Sequence, residues 1–184
     1  VVAGGREHQI KIWDIYTGAL QKTIETNGSI YAVSVSPDGE RIISGGLSRT
    51  VDIWNFYNGD NIASLSGHMS IIRQVDVSPN GRVVFSSGID GKLNMWDVNS
   101  GDLLKSINIG MPIFALDVSD NGRNIILGGG DKSVRILQIT RDGEITDEFT
   151  QEMLNNLFIQ TKTNVDLFSY VSEDIELYNI DDNI

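Results

Sequence analysis

The chain has 184 residues, 40 % apolar and 21 % charged, with a formal net charge of −11 and no cysteine. This composition is ordinary for a globular chain and excludes disulfides, thiolate catalysis and Cys-based zinc sites. It has neither an apolar run long enough to cross a bilayer as a helix nor the clustered Lys and Arg that grip a phosphate backbone, so membrane insertion and direct nucleic-acid contact are not expected.

In chain order, Val1-Val2-Ala3-Gly4-Gly5 reads as the end of a strand and Ile10-Lys11-Ile12-Trp13-Asp14 as the next strand. Residues 30–36 are small and β-branched, which suits an inner strand packed on both faces. Pro37-Asp38-Gly39 then turns the chain, because Pro fixes φ and Gly tolerates positive φ. Residues 41–46, 50–56 and 61–66 complete a set of four strands. The set recurs as 71–78, 82–88, 92–98 and 103–108, and a third set runs from 113 to about 149. No stretch has sustained helical periodicity with caps. Gly128-Gly129-Gly130-Asp131-Lys132-Ser133 superficially suggests a phosphate loop, but it lacks that spacing and a following helix, so it reads as a turn between strands.

The sets share a period. Trp13, Trp54 and Trp96 are 54 − 13 = 41 and 96 − 54 = 42 residues apart, and a further step of 41 lands on Leu137. Pro37-Asp38-Gly39 recurs as Pro79-Asn80-Gly81 and Asp120-Asn121-Gly122. A repeat of this length with glycine turns and a Trp-Asp dipeptide marks β-propeller blades, so the expected fold is all-β, with four-stranded antiparallel blades. The expected units are a partial blade at 1–26, blades at 27–67, 68–109 and 110–150, and a degenerate partial blade at 151–184. Residues 144–184 hold 10 acidic residues against Lys162 alone, for −9, and residues 1–143 hold 15 acidic and 13 basic residues, for −2. The acidic end still keeps the phase of the repeat: Leu137 plus 41 is Tyr178, so it reads as a worn fifth repeat and not as a tail. Three complete and two partial blades leave open edges, and the expectation is an excerpt of a longer, seven-bladed ring. The missing blades would come from the rest of the chain or from a second chain.

These residues resemble the WD-repeat β-propeller family over 1–143, most closely in the unit opening at Gly67-His68. The resemblance implies a structural tetrad of His68, Ser86, Asp90 and Trp96, in which Ser86 accepts the indole N–H, His68 bridges and Asp90 fixes the imidazole tautomer. Ser, His and Asp together invite a hydrolase reading, but the resemblance puts the group inside a blade, where it is structural and not catalytic. The unit ending at Trp54 departs from the pattern, with Ser48 in place of Asp and Asn27-Gly28 in place of Gly-His. The unit ending at Leu137 keeps Asp131 but lacks Trp and His.

The resemblance also implies where partners dock: the rim where first strands begin, and the turns between second and third strands. By spacing these are Tyr31, Arg73, Phe114 and Asn155 on the rim, with Arg6, Leu47, Ile89 and Gly130 on the turns. Tyr, Arg and Phe are residue types enriched at interface hot spots. The expected function is a non-catalytic protein–protein interaction scaffold in a larger intracellular assembly, cytoplasmic or nuclear, without metal or cofactor. Other proteins or peptides would be held on the ring rim. The alternatives are a peptide-recognition module of a larger enzyme complex, such as a ubiquitin ligase receptor, and a subunit of an RNA-associated assembly that does not touch the RNA.

Overall fold

The computed structural model describes residues 1–139 and the short strand Ile145–Thr146. The described residues form strands and turns without a helix. The first sheet has three strands, β1 (Val2–Gly4), β2 (Gln9–Trp13) and β3 (Leu20–Glu25), paired in that order. The second has four: β4 (Ile30–Val35), β5 (Arg41–Gly46), β6 (Thr50–Asn55) and β7 (Asn61–Ser66). The third holds β8 (Ile72–Val77), β9 (Val83–Gly88), β10 (Lys92–Asp97) and β11 (Leu103–Asn108). The fourth holds β12 (Ile113–Val118), β13 (Asn124–Gly129), β14 (Val134–Ile139) and β15 (Ile145–Thr146). Every pairing is antiparallel between chain neighbours. These are the blades of a propeller.

Local chemistry repeats from sheet to sheet. After each first strand, one side-chain oxygen organises the turn: Asp38 Oδ1 accepts from the Glu40 amide, Asn80 Oδ1 from Arg82 and Asn121 Oδ1 from Arg123. The glycines that follow, Gly39, Gly81 and Gly122, sit at φ of +75°, +71° and +68°, open to them without a Cβ penalty. After each third strand the residue following Trp closes the turn. Asp14 Oδ1 accepts from the Tyr16 and Thr17 amides, Asn55 Oδ1 from Tyr57 and Asn58, and Asp97 Oδ1 from Asn99 and Ser100. The second residue of the Trp-Asp dipeptide is thus an Asx cap on a hairpin turn.

The cores lie between sheets. Ile10, Ile12 and Ile24 of the first sheet pack on Ile30, Ile42 and Trp54 of the second. Ile43, Val51 and Ile53 of the second pack on Val75, Val84 and Trp96 of the third. Phe85, Leu93 and Met95 of the third pack on Leu116, Ile125 and Leu137 of the fourth. The second, third and fourth sheets therefore offer their Trp-type face to the sheet before, and the first three offer an apolar face to the sheet after. First strands adjoin as well, β4 against β8 and β8 against β12.

The expected packing of residues 30–36 on both faces does not hold along the whole strand. Tyr31 and Val35 are exposed, because the first strands lie side by side and no further layer among the described residues covers them. Gly128 and Gly129 end β13, and residues 130–133 form the turn to β14, closed by the Lys132 amide on the Gly129 carbonyl at 3.3 Å. The expected fifth repeat at 151–184, with Asn155, lies outside the described residues.

Candidate functional site

The four residues His68, Ser86, Asp90 and Trp96 come together in the third sheet. Trp96 Nε1 donates to Ser86 Oγ at 2.8 Å, and Ser86 Oγ lies 2.8 Å from His68 Nε2. His68 Nδ1 is 2.9 Å from Asp90 Oδ2, which also accepts from the Met69 amide at 2.8 Å. One proton order satisfies every group: the indole donates to Ser86, the Ser86 hydroxyl to Nε2, and the Nδ1–H to Asp90. Burial away from water holds the imidazole pKa below its ordinary 6.5, although the Asp90 carboxylate pulls it the other way, so the ring is neutral at pH 7. Burial pushes the Asp90 carboxyl up, but the Met69 amide and the His68 ring outweigh it and hold the group below its ordinary value. Ser86 is fully buried, and its oxygen is occupied by the indole and the imidazole. A serine so placed offers no approach to a substrate carbonyl.

Room for the imidazole comes from the loop. Residues 67–71 between β7 and β8 number five, against four each for 26–29 and 109–112 between the corresponding strands. The extra residue lets His68 fold over Ser86. In the second sheet Trp54 Nε1 still donates to Ser44 Oγ at 2.8 Å, but Ser48 Oγ only accepts from Thr50 Oγ1 at 3.0 Å, and no histidine joins them. In the fourth, Asp131 Oδ1 accepts from the Ser133 amide at 2.9 Å instead. The register supplies a correlation that spacing from Trp alone did not. Ser86 stands opposite Asn94 and Leu127 opposite Arg135, two residues before Trp96 and Leu137. Leu127 therefore occupies the acceptor's position in the sheet that has lost its indole.

Tyr31, Arg73 and Phe114 sit at one rim, at the starts of β4, β8 and β12. Each is a bulged residue. The pairing register passes from Ile30 to Ala32, from Ile72 to Gln74 and from Ile113 to Ala115, leaving the residue between without a partner. A bulge re-aims the side chain it carries, and here three bulges in neighbouring sheets aim three side chains together. The Arg73 guanidinium carbon lies 5.1 Å from the Tyr31 ring centroid and 5.8 Å from that of Phe114. Both rings keep open surface, Tyr31 at 38 % and Phe114 at 47 % exposure. Arg73 Nε is buried without a hydrogen-bond partner.

The turns between second and third strands flank this stack. The Leu47, Ile89 and Gly130 amides donate to the Ser29, Ile71 and Pro112 carbonyls at 3.0, 2.9 and 2.8 Å, which ties each turn to the start of its own first strand. A Cβ on Gly130 would meet the Phe114 ring at 3.1 Å, so that turn lies directly on the stack. Leu47 and Arg6 are exposed, whereas Ile89 is half-buried and contributes less open surface than an exposed turn would. Among the described residues no group of His, Asp and Glu is arranged to hold a metal ion.

A family model for the WD domain, G-beta repeat, matches residues 18–55 and 59–97. Each match ends at the residue after a tryptophan. The nuclear distribution protein nudF of Aspergillus niger is 36 % identical over 73 residues, covering 39 % of this chain and 16 % of that protein. The small ribosomal subunit protein RACK1y of Oryza sativa is 33 % identical over 66 residues, 35 % of this chain and 20 % of that protein. Mitogen-activated protein kinase kinase kinase A of Dictyostelium discoideum is 37 % identical over 75 residues, 39 % of this chain and 8 % of that protein. The chain thus matches at most a fifth of the length of these three relatives.

Proposed function

The chain belongs to the WD-repeat family, and on that premise we propose that it is a non-catalytic protein–protein interaction scaffold whose docking face is the rim bearing Tyr31, Arg73 and Phe114. The observation that carries the reading is the stack itself. Three side chains from three successive sheets converge through three bulges, yet leave two aromatic faces open to solvent. Large, stiff aromatic surface beside a fixed guanidinium is what interface hot spots are made of, since little rotamer freedom is lost on binding. Leu47 and Arg6 extend the same rim. Its tetrad of His68, Ser86, Asp90 and Trp96 serves the blade and not a substrate, holding the third sheet against the second.

The test is a triple substitution, Tyr31→Ala, Arg73→Ala and Phe114→Ala, used as bait in a native extract beside the unmodified chain. Specific partners should be lost while the far-ultraviolet dichroism and thermal midpoint stay close to the original. Retention of the same partners at the same yield would remove this rim as the docking face. A second reading, a recognition module within a larger enzyme, draws on the match to a kinase kinase kinase in which the similar stretch is 8 % of the protein.

A further inference from the structure

We propose that the group this rim receives is a carboxylate, an Asp or Glu side chain of an acidic protein segment, taken by Arg73 between the rings of Tyr31 and Phe114. The inference rests on the docking-rim reading above and adds the chemistry of the occupant. Arg73 carries five N–H donors in one plane. Among the described residues it has no ion pair and no hydrogen bond, and its Nε is closed off from solvent without an acceptor. Its Nη groups also have no partner and are not closed off, so they are the donors an incoming anion would meet. The flanking rings lie 5.1 and 5.8 Å from the guanidinium carbon. A planar carboxylate meets a guanidinium edge in two parallel hydrogen bonds.

The surrounding charge points the same way. Arg6, Arg49 and Lys132 stand on turns of this rim, with no ion-pair partner among the described residues. The same turns carry three carboxylates: Glu7 pairs with Lys11 at 3.3 Å, while Asp90 and Asp131 are hydrogen-bonded to the neutral His68 ring and to Ser133, so the turns of this rim are balanced in charge and Arg73 adds a cation. The opposite rim is acidic, with Asp14, Asp38, Glu40, Asp60, Asp102 and Asp120 on its turns against Arg82 and Arg123. An acidic segment is therefore repelled less at this rim than at the other, an effect that weakens as salt rises.

The experiment uses fluorescence anisotropy of the full chain with three end-blocked, labelled peptides: alternating Glu and Gly, its Gln counterpart and a phosphoserine counterpart. The Glu peptide should bind at least about tenfold more tightly than the Gln peptide, a difference of about 1.4 kcal/mol, and should weaken with salt. Arg73→Gln should cost the Glu peptide about tenfold, and Arg73→Lys should fall between, because an ammonium cannot supply the paired donors. Glu40→Gln, on the opposite rim, should change nothing. Equal binding of Glu and Gln peptides to the unmodified chain overturns the proposal, and that comparison holds even if Arg73→Gln fails to fold. So does a tenfold preference for the phosphoserine peptide, which reassigns the site to phosphate. If Tyr31→Ala with Phe114→Ala loses native partners while Arg73→Gln keeps them, the docking rim stands and the carboxylate falls.

Discussion

Trp96 is a large ring that must place one N–H, and the third sheet gives it a complete relay ending at a carboxylate. The relay is complete only with a neutral imidazole, since a protonated Nε2 would donate to Ser86 Oγ as the indole does and leave the buried Ser86 hydroxyl proton without its acceptor. This sets a sign for pH dependence. In the unfolded chain His68 takes up a proton near its ordinary 6.5, whereas in the folded chain burial delays that uptake to lower pH. Below about pH 6.5 the unfolded state therefore binds more protons, and stability falls as pH falls through that window. Asp90, depressed from 3.8, adds a loss of the same sign at more acid pH. Asp76 acts oppositely, because burial pushes its carboxyl up beyond what the Val77 and Val118 amides offset. The difference between the unmodified chain and His68→Asn isolates the histidine. Its midpoint should start lower at pH 7.5, by about 1–3 kcal/mol of lost hydrogen bonding, and fall less steeply between pH 7 and 5.5. Parallel slopes in the two thermal series would show that His68 does not titrate differently on folding.

At the scale of the element, a blade's tryptophan and its acceptor come as a pair, and the fourth sheet has replaced both. Leu127 and Leu137 are buried, and both pack against the third sheet. Restoring Leu137→Trp alone forces an indole into a site filled by leucines and gives its N–H no acceptor, with an expected loss of about 2–4 kcal/mol. Leu127→Ser alone should also destabilise, by leaving a buried hydroxyl without a partner. The double variant should recover about 1–2 kcal/mol relative to the sum, read by urea denaturation as a double-mutant cycle. Strict additivity would mean that Ser86 and Trp96 owe their arrangement to surroundings the fourth sheet lacks. Much of this architecture is legible beforehand. Turn chemistry in Pro37-Asp38-Gly39, the Trp spacing and alternating β-branched runs bring the strand limits to within about a residue of those observed. Two features were not. The five-residue loop that seats His68 shows in the sequence only as the 42nd residue of the Trp54–Trp96 interval, which does not say where in the unit the extra residue falls. The Tyr31–Arg73–Phe114 stack joins residues 42 and 41 positions apart (73 − 31 and 114 − 73), whose meeting depends on bulges and on how neighbouring sheets fan. Spacing named these positions, but it could not say that a cation would sit between two rings.

At the scale of the whole molecule, stability should be distributed by how many neighbours a sheet has. In stacked repeats each unit contacts only the next, so its protection grows with the faces that are covered. The third sheet has both faces occupied, the Val84 and Trp96 side by the second sheet and the Phe85, Leu93 and Met95 side by the fourth. Asp76 ties its first strand to both neighbours, accepting from Ser34 Oγ at 3.3 Å and from the Val118 amide at 3.1 Å. The first sheet is covered on one face among the described residues, and Trp13 on its other side is only half-buried, with Ala3 two residues before Gly5 where Ser44 stands before Gly46. Both β2 and β10 are central strands with hydrogen bonds on either side, so local geometry does not separate them. Native-state hydrogen exchange should therefore find the amides of Leu93 to Trp96 at least about tenfold slower than those of Ile10 to Ile12, a gap of about 1.4 kcal/mol in opening free energy. Equal protection in β2 and β10 would mean that the sheets open only together, and that the coupling across each interface exceeds the stability of any single sheet.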